Sequence, residues 1–172
     1  GTVLDAVHHP RHDVEVAQPE VDEVVVVDDG SDDRTLSAAA AADDTSRRLD
    51  IIRFRTNRGP SAARNHAIAV SRAPLISILD ADDFFFPGRF KRMLACPDWD
   101  FIADNIAFMP EAELTRQPDD FAPRPRRLGL ADFVLGNISR RGAPRGELGF
   151  LKPVMRRAFL DAHELRYRED MR

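Results

Sequence analysis

Asp80, Asp82 and Asp83 place three carboxylates within four positions, directly after an apolar run at residues 75–79 and before Phe84-Phe85-Phe86-Pro87. Acids so close repel one another at neutral pH unless they are solvated or share a cation. One arrangement that meets this need is a solvated acidic turn capping the next helix. The other is a hard divalent metal with oxygen ligands, itself bound to phosphates. A second acidic pair, Asp28-Asp29, closes the apolar run at 24–27 and is followed by Gly30-Ser31. These carboxylates either accept hydrogen bonds from a nucleobase or ribose, or cap the following helix. Between the two clusters, Arg64 either reaches a base or phosphate or forms a surface ion pair, and Asn57 either lines a ligand or serves its turn.

The elements that must carry these residues follow from patterning. Five residues at 75–79, four of them large and aliphatic, run without polar alternation, as in a strand covered on both faces. A ligand of such a sheet sits at the strands' carboxyl ends. Residues 21–27 form an apolar, β-branched strand, and Gly30 permits a tight turn into a helix reaching Arg48. Residues 51–54 form a short strand. Pro60 then sits in the first turn of a helix whose apolar face includes Ala63, Ala67, Ile68 and Val70. A helix at 87–94 and a strand at 99–108 continue the alternation. The pattern predicts an α/β fold with a mostly parallel sheet, flanked by helices through right-handed crossovers. Asp29 and Asp80 would then reach the same edge. Residues 1–9 fit the end of an amphipathic helix, 109–127 a proline-broken loop, 128–138 a helix and 154–165 the last helix.

Composition removes several function classes. A length of 172 residues suits one domain, and 43% hydrophobic with 31% charged residues excludes a disordered or fibrous chain. No apolar stretch approaches transmembrane length. A net charge of −4 argues against nucleic acid as a partner. Cys96 is the sole cysteine, which excludes an internal disulfide and suits the reducing cytoplasm. Lys91 and Lys152 are the only lysines, so the positive charge is nearly all arginine, through coding bias or phosphate recognition. The chain opens on Gly1-Thr2 rather than a methionine, so the true amino terminus is expected to be absent.

Three blocks carry a resemblance. Val24-Val25-Val26-Val27-Asp28-Asp29-Gly30-Ser31-Asp32-Asp33-Arg34-Thr35, then Asn57-Arg58-Gly59-Pro60-Ser61-Ala62-Ala63-Arg64-Asn65-His66-Ala67-Ile68, then Leu79-Asp80-Ala81-Asp82-Asp83 occur in order. Together they resemble the family 2 inverting glycosyltransferases of the GT-A fold. The later stretch at 149–167 is similar, more loosely, to bacterial exopolysaccharide enzymes of the succinoglycan type. The resemblance implies a GT-A type, Rossmann-like sheet whose first strand has no counterpart here. It implies that Asp28, Asp29, Asn57, Arg64, Asp80 and Ala81 bind a nucleotide-sugar donor, a UDP-sugar by expectation. Asp82, with Asp80, would coordinate Mn²⁺ or Mg²⁺ bridging the donor diphosphate. On this resemblance, residues 1–109 would form the donor half and residues 110–172 a partial acceptor half of the same domain, for a glycan or lipid-linked acceptor. The family's catalytic base sits in a Glu-Asp pair a few residues after a segment like 168–172. Glu169 and Asp170 are such a pair and are the candidates here, although alignment expects the base beyond Arg172.

Other readings compete. Response-regulator receiver domains also place paired acids after one strand, an aspartate after a later strand and a Lys-Pro dipeptide near the end, an order that Asp28-Asp29, Asp80 and Lys152-Pro153 imitate. A non-catalytic nucleotide-binding fragment is a further alternative, and a nucleotidyltransferase would want a glycine-rich, lysine-bearing loop that is not visible. The basic residues Arg124, Arg126, Arg127, Arg140, Arg141 and Arg145 form either a solvated loop or an attraction to an anionic membrane at its inner face.

Overall fold

The computed structural model describes residues 18–32, 35–41, 48–80, 83–108, 125–139, 141, 146 and 148–170. The chain divides into two compact units, Gly1–Ala103 with Lys152–Arg172, and Asp104–Leu151. The helix expected at 1–9, and the loop expected at 109–127 apart from its last three residues, 125–127, lie outside the described residues.

In the first unit, β1 (Val24–Asp28) is buried along its whole length. It pairs in parallel with β2 (Leu49–Arg53), in a register that sets Val24 against Leu49 and Asp28 against Arg53. Val25 and Val27 pack in one cluster, with Ala62, Ala63, Ala67 and Ile68. Val24 and Val26 pack in another, with Leu79, Phe85, Phe90 and Met93. Alternate side chains thus enter different cores, which is why the run shows no polar alternation. The connection contains α1 (Thr35–Ala41).

After β2 comes α2 (Pro60–Val70), with proline in the first turn, where a missing N–H costs nothing. Its buried residues are three alanines and Ile68, so the helix lies against β1 on small side chains. β3 (Leu75–Ser77) follows, and Ile78 and Leu79 stay buried as the chain leaves the ladder. α3 (Arg89–Leu94) starts after Gly88, which has a positive φ of 74°.

The last part of this unit differs from expectation. Val154–Arg156 forms a strand, β5, rather than the start of a helix, and the final helix, α5, spans only Arg157–Ala162. β5 lies between β3 and β4 (Phe101–Ile102) and is antiparallel to both. Pro153 biases Lys152 toward extended backbone, and Val154 and Met155 are buried side by side, one in each core cluster. A two-residue apolar start fits a helix or a strand equally well, and the neighbouring ladders decide it. The strand expected at 99–108 shortens to the two residues that face β5.

The second unit contains α4 (Leu130–Gly136) and a 3₁₀ turn at Leu148–Phe150. The Asn137 side chain ties them, donating to the Phe133 carbonyl at 2.8 Å and accepting the Gly149 N–H at 2.8 Å. None of the α4 side chains is buried. Among the described residues no helix is long and apolar enough to cross a membrane.

Candidate functional site

The carboxyl end of β1 is built around backbone groups. Asp28 is fully buried; its Oδ1 accepts the Ser31 N–H at 2.9 Å and its Oδ2 faces the Arg53 Nε at 3.3 Å. This holds the Asp29-Gly30-Ser31 turn closed. Gly30 has φ +81°, and a Cβ there would stand 3.0 Å from the Asn57 nitrogen and from the Thr56 carbonyl carbon. Only glycine satisfies both the backbone conformation and the close approach. The approach lets Asp29 reach across to the next loop, where Oδ1 accepts the Arg58 N–H at 2.7 Å and Oδ2 the Gly59 N–H at 2.8 Å. Carboxylate oxygens keep further lone-pair sites, so Asp29 retains the capacity to accept from a ligand. Asn57 is exposed on the same loop.

Helix α2 carries the connection onward. Its lead-in, Gly59, is fastened to Asp29, and Arg64 donates through Nη2 to Asp80 Oδ1 at 2.5 Å. The Arg64 guanidinium also lies 5.4 Å from the centre of the Tyr167 ring. Asn65, the next residue, clamps the carboxy-terminal segment. Its Oδ1 accepts the Tyr167 N–H at 2.9 Å, and its Nδ2 donates to the Tyr167 carbonyl at 2.8 Å and to Glu169 at 2.9 Å. One helix of eleven residues therefore tethers the end of β1, the end of the β3 segment and the stretch that bears Glu169.

The second acidic cluster is built around side-chain charges. The Lys152 ammonium donates to Asp80 Oδ2 and forms an ion pair with Asp83 Oδ2 at 2.9 Å. The Asp83 N–H in turn bonds the Asp80 carbonyl at 3.0 Å. The buried Arg89 holds the Lys152 carbonyl and lies 4.3 Å from the Phe85 ring. Partial burial pushes the Asp80 carboxyl upward, but the Lys152 hydrogen bond and the charges of Lys152 and Arg64 outweigh it, holding the pKa below the usual range. Burial likewise lowers Lys152, and its bonds to Asp80 and Asp83 overcome that and raise it.

The sequence-derived candidates thus fall into groups. Asp28, Asp29 and Asn57 share the β1 end, Arg64 and Asp80 are directly paired, and Ala81 and Asp82 lie outside the described residues. Glu169 is bonded to Asn65. Asp170 is exposed, and a hydrogen bond from Arg168 at 2.6 Å lowers its pKa. Sequence reasoning gave no site role to Asn65, Asp83 or Lys152 in the glycosyltransferase reading. Lys152 carried a signal: it is one of two lysines in a chain with 25 cationic residues.

Oxygen donors suit a hard divalent cation, and Asp80 and Asp83 already converge on a positive charge. Among the described residues no group of three or more His, Cys, Asp or Glu side chains gathers as a metal site.

A family model described as glycosyl transferase family 2 matches residues 5–142. The succinoglycan biosynthesis protein ExoU of Rhizobium meliloti is 61% identical over 160 residues, covering 91% of this chain and 47% of that protein. The chain thus spans about half the length of this relative. Among solved structures, S. aureus TarS 1-349 aligns with a TM-score of 0.61 at 18% identity, covering 99% of this chain and 50% of that one. Its complex with UDP-GlcNAc gives 0.57 at 18% identity, covering 97% and 48%. The mannosyltransferase PcManGT of Pyrobaculum calidifontis, in complex with GDP-Man and Mn²⁺, gives 0.59 at 18% identity, covering 98% and 47%. These neighbours share the GT-A type fold expected from the sequence. The receiver alternative set Lys152 and Asp80 in one motif, and the two do touch, but the family match and the structural neighbours point away from that class.

Proposed function

The chain belongs to glycosyl transferase family 2, and from that premise we propose that it takes part in moving a sugar from a nucleoside-diphosphate sugar, a UDP-sugar in the first instance, to an acceptor hydroxyl with inversion. The observation that carries this reading is the single helix α2, which fastens Asp29 at its lead-in and Asp80 through Arg64. The likeness to ExoU supports exopolysaccharide synthesis as the setting; our reading adds a glycan or lipid-linked acceptor and a cytoplasmic site of action.

In this reading Asp28 and Asp29 shape the turn that receives the base and ribose, with Asn57 and Ala81 beside the donor. Arg64 keeps the Asp80 carboxylate oriented. Asp80 and Asp82 would hold Mn²⁺ or Mg²⁺, whose charge, when bound, stabilises the departing diphosphate. The acceptor oxygen bonds to the anomeric carbon as the bond to the diphosphate oxygen breaks, and the hydroxyl proton passes to a carboxylate. Glu169 is bonded to Asn65 and Asp170 to Arg168. In our reading these two acids orient their segment rather than take the proton.

Thermal shift tests the donor site. UDP at a hundredfold excess over its Kd should raise the melting temperature by about 5–10 °C, only with Mn²⁺ or Mg²⁺ present. Asp80→Ala and Asp82→Ala should each abolish the shift. The absence of any metal-dependent shift with UDP, GDP or dTDP conjugates would overturn the reading.

A further inference from the structure

Both oxygens of Asp80 are already engaged by protein cations, Arg64 on Oδ1 and Lys152 on Oδ2. A metal ion binding this carboxylate must therefore approach one of those charges closely, and like charges sharing one oxygen repel. The two cations differ in how easily they can give way. Arg64 presents a planar guanidinium, whereas Lys152 is a compact ammonium on a flexible four-carbon stem. Lys152 also has a second acid within reach, because Asp83 lies 2.9 Å from its Nζ and would keep it paired after it left Asp80. Its backbone is meanwhile fixed by Arg89, so the side chain can move without the strand moving. Arginine fills 23 of the chain's 25 cationic positions, and the position between these acids is one of the two that do not.

We propose that Lys152 is a built-in counterion of the donor site, which occupies the cation position at Asp80 until a divalent metal displaces it toward Asp83. This rests on the donor-site reading above. It makes Lys152 a positioning residue: it holds Asp80 and Asp83 together as a charged pair before loading, and it sets a threshold on metal affinity.

Two measurements on the full chain test it. In the first, Mn²⁺ alone is titrated while free Mn²⁺ is followed by electron paramagnetic resonance. Lys152→Met, with its fold checked by circular dichroism, should bind Mn²⁺ on the order of tenfold more tightly than wild type. Lys152→Arg, which keeps the charge, should show no such gain. The second uses the wild-type chain, so it decides the question even if Lys152→Met fails to fold. Brief acetylation with an amine-reactive ester is read by mass spectrometry, with the exposed Lys91 as internal reference. Mn²⁺ should raise the labelling of Lys152 relative to Lys91 by severalfold. Mn²⁺ uptake with unchanged Lys152 labelling, or a folded Lys152→Met that binds no more tightly, would overturn the inference and leave the donor reading standing. A lack of Mn²⁺ uptake by both proteins would also overturn it, while the shift with UDP and metal judges the donor site separately.

Discussion

The two acidic clusters follow two strands of similar sequence character, β1 and β3, yet they are held in opposite ways. Asp28 and Asp29 accept from the backbone N–H groups of Ser31, Arg58 and Gly59, which the fold itself places. Asp80 and Asp83 meet the side chains of Arg64 and Lys152. A backbone donor cannot leave without unmaking its loop, whereas an ammonium can change partners by rotating its stem. The first cluster is therefore loop architecture with lone pairs to spare, and the second is a charge balance open to exchange.

The sharpest way to break the first arrangement is Gly30→Val. A β-branched residue at φ +81°, with its Cβ 3.0 Å from the neighbouring backbone, should cost about 2–4 kcal/mol in urea unfolding. It should also uncouple Asp29 from the loop at 57–59. If Gly30→Val unfolds at the wild-type urea midpoint, the close approach has no structural weight.

Matched deletions sharpen the contrast. Asp29→Ala leaves the Arg58 and Gly59 N–H groups without their acceptor and should cost about 1–3 kcal/mol. Asp83→Asn weakens one partly exposed ion pair whose lysine keeps Asp80, and should cost less than about 1 kcal/mol. Equal losses in the same urea titration would mean that the two clusters do not differ in kind.

The smallest effect is in the pH dependence, and it belongs to the second cluster. Asp80 has a lowered pKa, so its contribution is present above the ordinary carboxylate range, about pH 4, and fades as pH falls through the folded value. Lys152 has a raised pKa, so its contribution is present below about pH 10.4 and fades as pH rises through the folded value. Solvent screening of these partly exposed groups keeps the sum to about 1 kcal/mol or less. Lys152→Met should remove the alkaline loss and reduce the acid one; stability profiles that superimpose for the two proteins would contradict this.

Much of the first unit was legible from local properties. Unbroken β-branched residues announced β1 as an apolar strand, and Gly30 and Pro60 marked turn and helix start because φ limits and a missing N–H are properties of single residues. Arg64 and Asp80 were singled out by block and order, and they are paired. The segment at 154–156 was read as helix because Val154 and Met155 suit either element; its fate depended on ladders to residues 75–77 and 101–102.

By itself, then, the order of residues determined which strands end in acids, which glycine permits a tight turn, and the family to which the blocks belong. Tertiary structure alone decided how each acid is held. Asp29 and Asp80 look alike in sequence, but their partners lie 29 and 30 residues away for one and 16 and 72 for the other. Contacts over such separations are set by packing of the two cores rather than by local preference. That packing put backbone amides beside one carboxylate and an exchangeable lysine beside the other.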